Sequence, residues 1–482
     1  MSFTIDDLLH PFVSQYMASP QWVKTLLGST YTLVPRKIRF GRTYPRFKEA
    51  FDMTSESAIN QYRLNCLSTT LQHCINTVPA FSSLSHVQTL IESDPEAALL
   101  KFPIISKSDL KANLESYCSN RVSPKGRLKV TTGGSTAVPM HYYLEKGVGR
   151  SKEWAAIDVM NDSLSLDGNE IVLALRGRSV PNANLTGSSF WMYEPIKRHL
   201  ILSNDHLEER YMPLYVQAMK LHRPTRIAAF ASALYPLARW FKDHPEPAIT
   251  SNIRGIVLTS ESAYDFQIEL FEQIFRCPII RQYGHSERVV MGYTKPGDNR
   301  YHFVPQYGWL ELVDSDGTAI SQPGILGEIV GTSFDNRAMP FIRYRTGDLA
   351  MLAPNQGAFA NGAPICSRID GRVQEFVVCH DQRLVSITTL GAGHFEEFSQ
   401  FEQLQYEQFN PGHLILRLQT PRKSLGAQEL NAISRAVADK LQGGCEVSVE
   451  LVPRIDRTQM GKLRMLIQHL PLDRFYGSNG LS

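Results

Sequence analysis

The sequence predicts an α/β fold, with a large N-terminal domain of parallel sheets covered by helices and a small α+β C-terminal domain. Three observations predict it. Short apolar runs alternate with amphipathic ones between residues 150 and 370, and strand, helix, strand at that spacing implies a parallel sheet under helices. The chain has 482 residues, more than one hydrophobic core supports. A break at Asp370-Gly371-Arg372 divides residues 1–371 from 372–482. Past it, strands near Phe376–Cys379, Leu414–Leu418 and Val447–Leu451 accompany a helix across Ala427–Leu441.

Residues 1 to about 100 read as mainly helical. Leu64, Leu67, Leu71 and Ile75 recur at helical spacing and stop before Pro79, and Ser106 offers a helix N-cap after Phe102-Pro103. Leu128 and Val130, then Met140, Tyr142 and Leu144, alternate with polar neighbours, which predicts two strands bracketing a turn. Next come a strand at Ile171–Leu175, helices at Glu208–Leu221 and Ala228–Phe241, and a strand at Gly255–Thr259. A helix at Asp265–Phe275 and a strand at Ile279–Tyr283 follow. Trp309–Val313, the turn at Asp314–Gly317 and Gly327–Val330 read as an antiparallel subdomain ending at Arg343-Tyr-Arg-Thr-Gly-Asp348.

Composition excludes several classes. Fifty Lys and Arg against 47 Asp and Glu give a net charge of +3, no footprint for nucleic acid or an anionic membrane. The start lacks a basic n-region and a long apolar h-region, so no signal peptide is expected. The most apolar stretch, 227–238, is too short to span a membrane and reads as a buried helix. Seven scattered cysteines with no CxxC pair argue for reduced thiols in a cytoplasmic protein.

The chemistry-bearing stretches fall where such a fold binds ligands, beyond the carboxyl ends of strands. The turn Thr131–Pro139 holds two glycines, four hydroxyl residues and no acid. Its backbone N–H groups and hydroxyls suit a phosphate, though an ordinary hairpin loop reads the same in isolation. No Gly-Lys-Ser/Thr follows, which excludes a Walker loop, and kinase signatures are absent. Ser260-Glu261-Ser262 follows one strand and Tyr283-Gly284-His285-Ser286-Glu287 the next. Arg345-Thr-Gly-Asp348, Gly371-Arg372 and a late Gly461-Lys462 complete the series.

Six motifs in this order and separation, over roughly residues 60 to 470, resemble the acyl-adenylate-forming superfamily. Within it they look most like the phenylacetate–CoA ligase branch and its CapK-like members, as do Leu100-x-Phe-Pro-Ile-Ile-Ser-Lys-Ser-Asp and Phe401-Glu-Gln-Leu-Gln-Tyr-Glu. The resemblance implies an ATP- and Mg2+-dependent enzyme that joins a carboxylate to the α-phosphate, releases pyrophosphate and passes the acyl group to coenzyme A. It implies that Thr131, Thr132, Gly133, Gly134, Ser135 and Thr136 hold the departing phosphates. Ser260, Glu261, Ser262, Tyr283 and Gly284 would form the adenine site, with the Tyr283 ring on the base, and Ser286 would also bind the nucleotide. Glu287 would bind the metal; its bland alternative is an ion pair with Arg288 or another arginine. Asp348 would accept from the ribose hydroxyls, Arg372 would lie near phosphate and ribose, and Lys462 would reach the reacting oxygens from a mobile C-terminal domain.

This chain departs from the pattern at Ala137, where relatives carry glycine, and at the hinge, where Gln374 precedes Glu375. Met291 to His302 contains no cysteine, so no structural zinc is expected. Phe190, Trp191, Tyr193, Phe230 and Tyr235 lie in segments that line the acyl site in relatives, which suits a small aromatic or compact apolar acid; all could equally be core. His285 could orient a carboxylate or be a satisfied buried histidine. The acceptor stays open among CoA, an amine, a hydroxyl and a carrier protein, and the oligomer between monomer and homodimer. A non-catalytic nucleotide-binding protein is the rival class, opposed by Glu287, Asp348 and Lys462.

Overall fold

The computed structural model describes residues 12, 15–16, 19–131, 140–166, 170–176, 180, 190–204, 206–207, 209–263, 265–354, 359–360, 362–372, 376–390, 401, 403–420, 422, 424–456 and 463–471. The Gly-rich turn 132–139, the hinge residues 373–375 and the stretch 457–462 with Lys462 lie outside them. The expected hairpin forms from β1 (Arg127–Thr131) and β2 (His141–Glu145), antiparallel with Val130 opposite Tyr142. Its apolar period delivers Met140, Tyr142 and Leu144 to a buried face.

A mixed sheet carries the rest of the large unit. Its strands are β3 (Val172–Leu175), β4 (Trp191–Glu194), β5 (His199–Leu202), β6 (Arg226–Ala229), β7 (Gly255–Thr259), β8 (Ile279–Gly284), β9 (Met291–Lys295) and β10 (Asp298–Phe303). Then come β11 (Gly308–Val313), β12 (Leu326–Ser333), β13 (Tyr344–Leu352), the short β14 (Phe359–Ala360) and β15 (Ala363–Arg372). The spatial order is β11-β12-β13-β15-β10-β9-β8-β7-β6-β3-β5-β4, with β14 beside β15. β5, β3, β6, β7 and β8 run parallel; the remaining pairs are antiparallel. The expected antiparallel subdomain is thus a continuation of the same sheet. Helices cover both faces of the parallel part, so its strands read as unbroken apolar runs. Ile256 and Leu258 face the helices Met212–His222, Ala231–Asp243 and Asp265–Phe275, while Val257 faces Gly149–Asp162 and Tyr44–Phe51.

Local signals explain most of the boundaries. Ser55 caps the helix Glu56–Thr77, which buries Leu67, Leu71 and Ile75 and stops at Val78 before Pro79. Ser106 and Asp109 form the capping box of Lys107–Ala112. The helix expected over Ala228–Phe241 is corrected: Arg226–Ala229 is strand β6 between β3 and β7, and the helix begins at Ala231. The alanines there favour helix locally, but pairing on both sides with parallel neighbours overrides propensity.

Beyond Arg372 the strands form separate sheets: β16 (Phe376–Val378) with β17 (Leu384–Ser386), and β18 (Gln403–Asn410), β19 (His413–Gln419), β20 (Glu446–Val452) and β21 (Leu466–Gln468) in the order β20-β19-β18-β21. The helix Ala427–Lys440 completes a core of their own. All seven cysteines are free thiols, and burial pushes Cys66 and Cys118 up to about 11. Among the described residues no helix is long and apolar enough to cross a membrane.

The segment 285–290 lies on β11 and β12 because both strands carry glycine beneath it. A Cβ at Gly308 would stand 1.9 Å from the Val289 carbonyl oxygen, and one at Gly331 would stand 2.7 Å from the Val289 side chain. Gly308→Ala therefore lowers unfolding free energy by about 1–3 kcal/mol or more, measured by urea denaturation; an unchanged midpoint would refute this packing.

Candidate active site

The sheet changes from parallel to antiparallel where β8 turns back as β9, with Gly284 opposite Met291. That hairpin loop is Tyr283-Gly-His-Ser-Glu and its continuation, so the motif sits at a topological switch. Thr259 pairs with Gln282, which brings Ser260-Glu261-Ser262 to the neighbouring strand end. The Tyr283 hydroxyl donates to Asp348 Oδ2 at 2.8 Å, and its ring packs edge-on against Phe303. Burial, then the Asp348 charge, hold this phenol well above its ordinary range, so it remains a donor. Across the sheet Asp348 is paired with Arg372. Motifs far apart in sequence therefore meet around Asp348.

The Arg-Thr-Gly-Asp turn owes its shape to a bulge between β12 and β13, where the register shifts after Glu328. Gly347 takes φ +77, a conformation open to glycine. Glu328 accepts from the Gly347 N–H at 3.1 Å and pairs with Arg345 at 2.7 Å. The Thr346 hydroxyl donates to the Ile329 carbonyl and accepts from the Asp348 N–H. Burial raises the Glu328 carboxyl, and Arg345 opposes that rise. The Phe102–Ile105 segment braces the same strand: Ile105 N–H donates to the Arg343 carbonyl, and Arg345 N–H to the Ile105 carbonyl.

Glu287 is 9% exposed and accepts from the Tyr344 hydroxyl at 3.1 Å. Tyr142, delivered by β2, lies buried beside Ser286 and Glu287; burial and then the Glu287 charge raise its phenol. Arg288 turns instead to Glu153 at 3.9 Å, so the bland ion-pair alternative for Glu287 does not form with it. Among the described residues both ring nitrogens of His285 are buried without a hydrogen-bond partner, which leaves a donor and an acceptor for a ligand. No three His, Cys, Asp or Glu side chains among the described residues could hold a metal by themselves.

Glu261 has a further task that the motif does not announce. Its Oε2 accepts from the Ser232 N–H (3.2 Å), in the first turn of Ala231–Asp243, and its Oε1 from the Leu463 N–H (3.1 Å). The C-terminal unit thus touches the strand-end segment at the residue after Lys462. Leu349, next to Asp348, also packs with Phe376, Val378 and Leu470.

The structure does not gather the expected aromatic set. Phe230 is the N-cap of the helix Ala231–Asp243, whose first turn binds Glu261, and Tyr235 lies within that helix, edge-on to Phe266. Phe190 packs on His206 and Tyr211. Trp191 and Tyr193 lie on the edge strand β4 against His222. Five strand positions separate β4 from β8, roughly 24 Å at 4.8 Å per strand, so these two are edge packing. Sequence reasoning missed Tyr142, Tyr344 and Glu328; Tyr142 stood on the buried period of its strand, and Tyr344 inside the Arg-Thr-Gly-Asp motif.

No protein-family model matches the chain, and no curated protein matches it at a significant level. Solved structures do. A 2-hydroxyisobutyryl-CoA ligase in the postadenylation state, in complex with R3-HIB-AMP, is 18% identical over 87% of this chain and 90% of that one, with TM-score 0.59. The same ligase with 2-HIB-AMP is 17% identical at the same coverage and TM-score. An acyl acid amido synthetase is 14% identical over 88% and 94%, with TM-score 0.56. The fold is that of adenylate-forming enzymes, a large mixed sheet between helices with a smaller C-terminal domain.

Tyr344→Phe tests the carboxylate support. It removes a hydrogen bond to a buried charged group, worth about 1.5–3 kcal/mol, and should lower stability by that amount in urea melts. A neutral effect would mean that Glu287 is held by other groups.

Proposed function

We propose that this chain is an ATP-dependent acid ligase similar to phenylacetate–CoA ligases and CapK-like proteins, with residues 1–371 and 372–482 as its two domains. The carboxylate oxygen of a small aromatic or compact apolar acid attacks the α-phosphorus, and the bond to the bridging oxygen breaks to release pyrophosphate. The thiol of coenzyme A then attacks the acyl carbon, AMP leaves and the thiol proton passes to solvent. The observation that carries the reading is the Tyr283–Asp348 hydrogen bond with Arg372 opposite Asp348. It supports the reading because residues proposed to face the base, the ribose and the phosphate come from neighbouring backbone positions.

Asp348 suits the ribose diol, since a carboxylate accepts two hydroxyl donors. The Thr131–Thr136 turn would hold the leaving phosphates, Tyr283 and Ser260–Ser262 the adenine, and His285 the substrate carboxylate. The donor set fits Mg2+, which commonly takes one or two carboxylates plus substrate phosphates. Glu287 would hold it, and the ion would neutralise charge on the triphosphate. An amine acceptor is the second reading, favoured by the fold shared with an acyl acid amido synthetase.

The test is product identity: with a competent acid from a panel, the protein should yield AMP and pyrophosphate, and the acyl product should form with CoA. Stoichiometric ADP would overturn the adenylation reading, while an amide made without CoA would select the second one.

The Leu463–Glu261 hydrogen bond supports a pose in which the small domain presents Lys462 to the site. A cation that meets developing charge acts on the transition state, so Lys462→Ala should slow adenylation by about 10²–10³-fold. Glu261→Gln keeps the shape but weakens the backbone anchor, and should slow adenylation about tenfold, on the scale of one hydrogen bond. Both variants should convert synthetic acyl-AMP at near the normal rate. Equal losses in both half-reactions would make these residues structural.

A further inference from the structure

Six of the eleven exposed large hydrophobic residues among those described lie between Phe12 and Ile38. The helix Gln21–Thr32 organises them, and its polarity is inverted. Its inner face holds Lys24, 5% exposed with Nζ 3.2 Å from Met192 Sδ, and Gly28 against Pro195. A Cβ at Gly28 would stand 2.5 Å from Pro195 Cβ, so the helix is seated close on the turn after β4. Trp22 and Leu26 on its outer face and Leu33 at its C-cap are 70%, 59% and 83% exposed. At about 100° per residue these three share an arc of roughly 40°, a continuous apolar stripe. Ile38, 52% exposed, follows it.

Charge is segregated in the same stretch. Residues 8 to 48 contain seven Lys or Arg and no Asp or Glu, and four of the seven fall in Arg36-Lys-Ile-Arg-Phe-Gly-Arg42. The near balance of the whole chain, which argues against a membrane partner, conceals this. Arg46 and Lys48 are matched by Asp335, Asp52 and Asp162. The short helix Arg36–Arg39 folds back on the longer one, with the Arg39 guanidinium 5.4 Å over the Tyr31 ring. The basic cluster thus follows the apolar stripe directly in the chain.

We propose that this N-terminal face docks the enzyme on an anionic lipid surface. Trp22, Leu26 and Leu33 enter the boundary between headgroups and acyl chains, and the basic stretch 36–42, in which Arg42 is exposed, meets the lipid phosphates. An outward apolar stripe with a tryptophan and adjoining basic residues suits that interface. A second copy of the chain fits worse, because a two-fold interface would set the basic cluster against itself.

The test is co-sedimentation of the full chain with phosphatidylcholine vesicles, with and without phosphatidylserine. Wild type should bind only the anionic vesicles, and salt should weaken the binding. The triple variant Arg36→Gln, Lys37→Gln, Arg42→Gln should bind on the order of 100-fold more weakly, from roughly fivefold per charge. Trp22→Ser with Leu26→Ser should lose a comparable factor. Both should keep wild-type melting and pyrophosphate exchange, which separates docking from folding and from the proposed chemistry. Brominated lipids should quench tryptophan emission in wild type more than in Trp22→Phe. Failure of wild type to sediment overturns the proposal, as does vesicle binding indifferent to Trp22 and Leu26. A dimer dissolved by Leu26→Glu, without lipid binding, would identify a second copy as the occupant and also overturn it.

Discussion

The site depends on how strand β13 is held against β12. A register shift at Glu328, a left-handed Gly347 and the Glu328–Arg345 pair give Arg345-Thr-Gly-Asp its turn. From this strand Tyr344 reaches Glu287, Asp348 receives Tyr283, and Leu349 packs against the C-terminal unit. The pair is half-buried, and removal of one partner would leave a desolvated charge. One bulge thus positions groups that otherwise belong to different strands, loops and layers. Its supports are local hydrogen bonds; its consequences are long-range.

Among the described residues, the two units meet through backbone hydrogen bonds and a small apolar cluster. Glu261 binds the Leu463 N–H, Arg239 donates to the Phe401 carbonyl, and a small apolar cluster surrounds Leu349. Such an interface, made of backbone hydrogen bonds and a small cluster, is easily exchanged for another. That property fits the proposed function, whose two half-reactions would need different catalytic groups, and Glu261 would tie the choice of pose to the strand end proposed to face the nucleotide.

Much of the fold was legible, and the failures share a cause. Asp265–Phe275 and the β1–β2 hairpin follow from periodicity that their burial obeys. Arg226–Ala229 reads as helix because alanine favours helix, yet it is flanked on both sides by strands that require pairing. Trp191 and Tyr193 look like pocket residues by motif position, but strand order sends β4 to the far edge. Strand order is a non-local property that a one-dimensional pattern does not carry. The same reason hid Tyr142: its role arises only when the hairpin lies across the β8–β9 loop.

By itself the sequence determined the alternation of strands and helices, the strand ends where ligands would bind, and the residue types placed there. These are local properties, set by hydrophobic period, capping and turn chemistry. The tertiary structure alone decided that Tyr283 meets Asp348 with the Arg372 backbone opposite in register, that Glu287 rests on Tyr344 and not on Arg288, and that Glu261 grips the C-terminal unit. It also decided that Trp22, Leu26 and Leu33 face outward while Lys24 faces in. Periodicity can place residues on a common face, but which face is covered depends on what packs against it, and here that is Pro195 and the edge of a sheet.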